Sequence, residues 1–350
     1  MVSQTATFKC PACGGYLEFD PEGQRFLCPY CGASFDEEEI HQQSQAKEDE
    51  AEPAVEDSAE GHLRTYHCKM CGAEIVTDDT TAAARCYYCH NPVMMTDRLT
   101  EAFKPDGVIP FQLDRKQAEE KFNTFVKSKK FIDHSFFTPQ QMEDFSGVYY
   151  PYWLADVEGE ATFNGKGTRV NVMSTPRETI TTTRHFAVQR EGKLSFRNMV
   201  RKALNKADGK LSDGIHPYNL GEVKPFAMGY LSGFLAEKRD VEAADVQGGI
   251  LEETQRYAQE MMSQNGEFNS LTGQTDYKAT KTKMKYLMLP AWVLTYKGGE
   301  KGEPYYYMMN GQTGAVCGKL PLKKSKLLLC SLIVGAAVFA VLCLGGAFVW

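Results

Sequence analysis

Eight cysteines fall into four Cys-x-x-Cys pairs, and the pairs form two couples of identical internal spacing. Cys10-Pro-Ala-Cys13 and Cys28-Pro-Tyr-Cys31 are separated by fourteen residues, as are Cys68-Lys-Met-Cys71 and Cys86-Tyr-Tyr-Cys89. A Cys-x-x-Cys turn can aim both thiolates at one ion, and the intervening residues form a β-hairpin that brings the second turn opposite the first. Gly14, Gly32 and Gly72 directly follow the second cysteine of three turns, where positive φ relieves the tight knuckle, and His90-Asn91 takes that place in the fourth. The pattern predicts two zinc ribbons with ligands Cys10, Cys13, Cys28, Cys31 and Cys68, Cys71, Cys86, Cys89, holding two Zn2+ per chain. Rubredoxin-like iron is the chemical rival. Free buried cysteines or thioredoxin-like redox pairs leave the spaced couples unexplained.

The N-terminus, Met1 to Cys10, has no apolar signal-peptide core, so this cysteine-rich part is expected in a reducing cytosol. The ribbons are placed at residues 1–35 and 61–98. Between them, Asp36 to Glu60 holds eleven acidic residues against one lysine and shows neither helical nor strand periodicity, which predicts an acidic flexible linker and two independently moving ribbons. Against the chain's net charge of −6, that segment's −10 leaves the rest at about +4.

Residues 99–322 read as an α+β body with an antiparallel sheet. Val108 to Phe111 looks like a strand. Asp114 and Gln117 suit a capping box, with Ala118, Phe122 and Phe125 at helical spacing, which predicts a helix over Arg115 to Ser128. Thr138-Pro139 and Gln141 signal a short helix start. Alternating and β-branched stretches predict strands from Val148 to Phe196. Helices are predicted over Pro225 to Glu237 and Val241 to Ser263. A β-hairpin is predicted from Tyr305 to Leu320, turning at Asn310-Gly311. Tyr150-Pro-Tyr-Trp-Leu154 and Leu289-Pro-Ala-Trp-Val293 share a pattern, so the body is read as two related halves or as an accidental match.

Leu327 to Trp350 carries no charge over 24 residues, which as a helix spans ~36 Å against a hydrocarbon core of ~30 Å. Lys323, Lys324 and Lys326 precede it, so the positive-inside tendency puts residues 1 to 326 in the cytoplasm and residues 323–350 in the role of basic flank and transmembrane helix. Trp350 suits an interfacial anchor. The small residues Ala336, Ala340, Cys343 and Ala347 would permit homo-oligomer contacts through the membrane helix.

Catalytic signatures are missing. No phosphate loop, His-Glu-x-x-His helix or Gly-x-Ser-x-Gly elbow occurs, and Gly165-Lys-Gly-Thr168 lacks a phosphate loop's upstream glycine. His134, His185 and His216 are scattered singly. Closed four-thiolate shells build structure and seldom catalyse. Nucleic-acid binding is also disfavoured: residues 1–35 hold Lys9 and Arg25 against Glu18, Asp20 and Glu22, and residues 61–98 balance four basic against four acidic groups.

The Cys-Pro-x-Cys-Gly knuckle resembles the zinc ribbon of transcription factor TFIIB. Together with Val108 to Phe111, Gly147-Val-Tyr-Tyr-Pro-Tyr-Trp153, Asn310-Gly-Gln-Thr-Gly314 and the closing apolar helix, the chain resembles bacterial TFIIB-type zinc-ribbon-containing single-pass membrane proteins. Some relatives carry a primosomal-helicase label, which the missing nucleotide-binding motifs do not support. The resemblance implies a cytoplasm-facing protein associated with membrane-stress proteins of the phage-shock and SPFH-domain kinds. The expected function is a non-enzymatic membrane adaptor or scaffold for cytosolic proteins, and the alternative is a membrane-tethered nucleic-acid-binding regulator.

Overall fold

A computed structural model describes residues 5–6, 8–36, 38–40, 63–68, 70–86, 89, 91–95, 103–132, 145–205, 209–296, 305–318, 320 and 323–349. The expected linker lies outside these residues except for 36 and 38–40. The Thr138 helix start, His134, His90 and Trp350 lie outside them too.

In chain order the elements are β1 (Thr5–Ala6), β2 (Glu18–Asp20), β3 (Arg25–Leu27), β4 (Ser34–Phe35), β5 (Leu63–His67), β6 (Glu74–Asp78), β7 (Thr81–Arg85), β8 (Pro92–Met95) and β9 (Gly107–Val108). Then come α1 (Arg115–Ser128), β10 (Ser146–Ser174), β11 (Thr179–Lys202), α2 (Gly209–Gly214), β12 (Lys224–Pro225), β13 (Leu235–Glu237), α3 (Ala243–Met262), β14 (Ser270–Tyr296), β15 (Tyr305–Asn310), β16 (Val316–Gly318) and α4 (Lys324–Val349). The body is dominated by sheet: an eleven-stranded sheet runs β1-β8-β7-β13-β10-β14-β15-β16, with β11 beside β10, and β9 between β14 and β12. It is antiparallel apart from two short parallel pairs, β10 with β13 and β14 with β9.

The two segments of like sequence are antiparallel neighbours at the centre of this sheet. Tyr150 faces Leu289, Tyr149 faces Pro290 and Pro151 faces Met288, a register symmetric about the Tyr150–Leu289 pair. The flanking elements follow the same local two-fold. Val148 pairs with Leu235 as Leu287 pairs with Gly107. The Trp153 indole donates to the Val241 carbonyl (2.9 Å), immediately before the N-cap of α3, and the Trp292 indole donates to the Leu113 carbonyl (3.1 Å), immediately before the N-cap of α1. Each helix therefore starts from an anchored residue, carries a capping box and buries the stripe that faces the sheet: Ala118, Phe122 and Val126 in α1, Ile250, Thr254, Ala258 and Met262 in α3.

The predicted helix over Pro225 to Glu237 does not form. Pro225 pairs with Gly107 in a strand, Met228 to Leu231 make a 3-10 turn, Gly233 takes φ +92°, and Leu235 to Glu237 join the sheet. The apolar spacing that mimics a helix here serves tertiary contacts: Tyr230 meets Phe19, and Phe234 stacks on Phe111 at 4.2 Å. The last hairpin also differs from expectation. Asn310 closes β15, its side-chain oxygen accepts from the backbone N–H of Gln312 and Thr313, and Gly314 at φ +77° completes a longer loop.

Independent ribbons are likewise not what the packing shows. Cys10, Leu17, Phe19, Phe26 and Cys28 share one buried cluster with Phe111, Tyr149 and Trp292 of the body. Phe19 N donates to Ser232 O (3.0 Å), and Ser232 Oγ donates to the Leu17 carbonyl. In the second ribbon, β7 pairs with β13 and β8 with β1, so its hairpin is part of the main sheet.

Candidate metal centres

Each quartet is assembled by two backbone turns of one design. Cys10 N donates to Gly15 O (2.6 Å) and Gly14 N to Cys10 O (2.9 Å); Cys28 with Gly32 and Ala33, and Cys68 with Gly72 and Ala73, repeat both bonds at 2.8–2.9 Å. The returning N–H of the glycine requires φ near +74°, observed as +75°, +73° and +74° at Gly14, Gly32 and Gly72, which explains glycine at these positions. The fourth turn keeps the Cys86 N to Asn91 O bond (2.9 Å).

The structure brings all eight predicted ligands together as two sets: Cys10, Cys13, Cys28 and Cys31, and Cys68, Cys71, Cys86 and Cys89, with the sulfurs of each set within 4.8 Å of one another. The closest cross-pairs are Cys13 to Cys28 at 3.5 Å, Cys68 to Cys89 at 3.6 Å, and Cys10 to Cys31 and Cys71 to Cys86 at 3.7 Å. A tetrahedron of sulfurs at a zinc–thiolate bond length of about 2.3 Å has edges of about 3.8 Å, close to these four separations, so each set is of a size to hold one four-coordinate ion. Each set pairs two buried cysteines with two more exposed ones, which places the ion near the surface.

One thiol in each set is polarised toward binding. Burial opposes ionisation of Cys28, but the backbone N–H groups of Cys31 and Tyr30 and the Cys13 thiol outweigh it and bring Cys28 down to about 7. Cys89 goes lower, to about 6: burial again opposes, and the side-chain amide of Asn91, 3.1 Å from Sγ, with the Asn91 backbone overcomes it. Cys13 and Cys71 move to about 12. A backbone N–H, from Gly15 or Ala73, favours each thiolate, but the neighbouring sulfurs outweigh it. An anionic thiolate beside protonated ones is the state a divalent ion displaces, releasing the protons. Asn91 is the residue that sequence reading missed; it showed only as a break in the glycine pattern.

The other singled-out residues do not join these centres. Gly165 to Thr168 lies inside β10, Tyr305 to Tyr307 lie in β15, and His185 is exposed on β11. His216 sits edge-on to Tyr152 and Tyr218, with burial lowering its pKa against the opposing pull of Asp213.

α4 is long and apolar enough to cross a membrane, and its Leu328, Leu332 and Phe339 are 64%, 63% and 70% exposed, so no protein surface covers them. It is joined to the body at its start, where Lys323 N donates to Phe131 O (2.8 Å).

Among known proteins, the chain is similar to the uncharacterized protein YdjG of Bacillus subtilis (strain 168), with 30% identity over 322 residues that cover 91% of each chain. No family model matches the chain, and no solved structure matches it.

Proposed function

The chain belongs to the family of the Bacillus subtilis protein YdjG, and from that premise we propose that it is a non-enzymatic membrane adaptor with two TFIIB-type zinc ribbons and one membrane span. It gathers cytosolic proteins at the membrane, where partners of the phage-shock and SPFH-domain kinds fit the family resemblance. The observation that carries this reading is the coupling of two complete four-sulfur shells to a body that continues into an apolar helix. A closed shell leaves the ion no position for substrate, so the metal's contribution is to fold the knuckles. Those knuckles face solvent: residues 11–14 and 29–32 are exposed, Tyr30 at 64%. The eight cysteines would hold zinc, which supplies cross-linking of each pair of turns, and residues 1 to 326 would stand in the cytoplasm.

Truncation after Lys326 tests the reading. The ribbons and body remain complete, and the product should become soluble and keep its metal. Proteins that co-purify with the full chain should still bind the truncated form and lose their own membrane association. Partners that stay at the membrane, or that leave on nuclease treatment, would contradict the adaptor role.

A further inference from the structure

β10 and β11 run together far beyond the centre of the sheet. From Tyr150 at the two-fold to Ser174, β10 continues for about 80 Å of strand. β14 accompanies it as a third strand as far as Ser270, opposite Thr168. The resulting ribbon has two outer edges, and the protein treats them differently. The β14 edge is covered by two glutamines of α3. Gln255 donates to Thr275 O (2.6 Å) and accepts from Tyr277 N (3.0 Å), while Gln259 donates to Gly273 O (3.2 Å) and accepts from Thr275 N (2.6 Å). These side-chain amides stand in for a neighbouring strand. The β11 edge has no such cover: among the described residues β11 pairs with β10 alone.

The turn fixes which backbone groups face outward. Thr175 N donates to Glu178 O, so this is a hydrogen-bonded pair, and the alternation of an antiparallel ladder then turns the N–H and C=O of Thr179, Thr181, Thr183 and every second residue to Ser195 away from β10. Val170, opposite Thr183, obeys the same parity, since its N–H points to the far side and donates to Asn269 Oδ1 (2.7 Å). The edge has no proline, and its register with β10 is unbroken from Thr179 to Phe196. A long edge of this kind is a template for another strand unless it is blocked.

Charge and anchorage select the occupant. Thr179 to Ser195 carry Arg184, Arg190 and Lys193 against Glu191, a basic edge. A second copy is a poor fit. Two β11 edges bring the same net positive charge to the pairing whichever way they run, so they repel. We propose that the β11 edge, from Thr179 to Ser195, receives an extended acidic segment of a cytosolic partner as an added strand, a docking site that rests on the adaptor reading above. Main-chain bonds supply the affinity and the basic side chains the preference for acidic sequence.

The test uses the full chain in detergent micelles with a fluorescein-labelled peptide in which valine and threonine alternate with glutamate. A counterpart with lysine in place of glutamate serves as the comparison. The acidic peptide should bind at least about tenfold more tightly and slow deuterium exchange along β11. Thr183→Pro removes one outward N–H while sparing the ladder to β10, and should weaken binding about tenfold, the equivalent of roughly one hydrogen bond. Arg184→Glu with Lys193→Glu leaves the backbone intact and should invert the preference between the two peptides. Equal affinity for both peptides, or binding that is indifferent to these substitutions and leaves β11 exchange unchanged, would overturn the site. If β11 binds neither peptide while cytosolic proteins still follow the chain to the membrane, this site fails and the adaptor reading stands. Peptide binding at β11 with no protein released by truncation after Lys326 leaves the site standing and refutes the adaptor reading.

Discussion

Ser232→Ala should undock the first ribbon without emptying it. Ser232 is buried between the 3-10 turn and β13, its hydroxyl donates to the carbonyl of Leu17, and its own carbonyl accepts from Phe19 N at 3.0 Å. Both Leu17 and Ser232 are 0% exposed, so water cannot replace the hydroxyl once it is removed. Leaving a buried carbonyl without this donor costs about 1–3 kcal/mol. The apolar part of the joint survives, because Phe19 still meets Tyr230 at 5.1 Å and Phe26 still lies against Gly229. Around 2 kcal/mol corresponds to a roughly thirtyfold rise in the undocked population. Hydrogen exchange on the full chain in detergent reads this directly: amides of residues 8–36 should exchange faster by about that factor while both metal ions remain bound. Gly229→Ala attacks the same joint independently, since its Cβ would lie 2.8 Å from Phe26 Cε1 and overpacking of this kind costs about 1–3 kcal/mol. Exchange in residues 8–36 that is unchanged by both substitutions would refute the docked arrangement and restore independently moving ribbons.

Two further outcomes follow from the metal centres. Asn91→Leu removes the amide that holds Cys89 at about 6, so the Cys89 pKa should rise, protons should compete at higher pH, and the pH at which the second ribbon loses its ion should move upward; metal affinity there should fall roughly ten- to hundredfold, by competition with a chromogenic chelator. Cys10→Ser should leave one bound ion per chain, and because Leu17, Phe19 and Phe26 share the core of the body, it should lower the unfolding temperature of the whole body.

The elements most legible in the sequence were those whose signals are local. α1 begins where Asp114 and Gln117 exchange their bonds, at 2.6 and 3.2 Å, and α3 begins within two residues of its predicted start. The cysteine ligands were legible because both partners of each turn sit within one Cys-x-x-Cys unit. What could not be read was set by distant partners. The segment around Tyr230 shows helical spacing because Phe19 and Phe26 pack on it from the first ribbon and Phe111 stacks on the neighbouring Phe234, and no local signal identifies those partners. The acidic stretch between the ribbons suggested freedom, while the buried bonds of Ser232 to the first ribbon and the β7–β13 pairing of the second join both to one body. The two-fold was hinted at by the shared Pro-x-Trp pattern, but its meaning lies in the Tyr150–Leu289 register and in the two indoles that anchor α1 and α3.

The metal content of the full chain purified from membranes decides whether both sulfur sets are zinc sites. Two four-sulfur sets and one apolar helix among the described residues predict two zinc ions per protein in the membrane fraction and the same two after truncation after Lys326. A ratio near one, iron in place of zinc, or loss of metal on removing the helix would contradict two zinc centres that fold without the membrane helix.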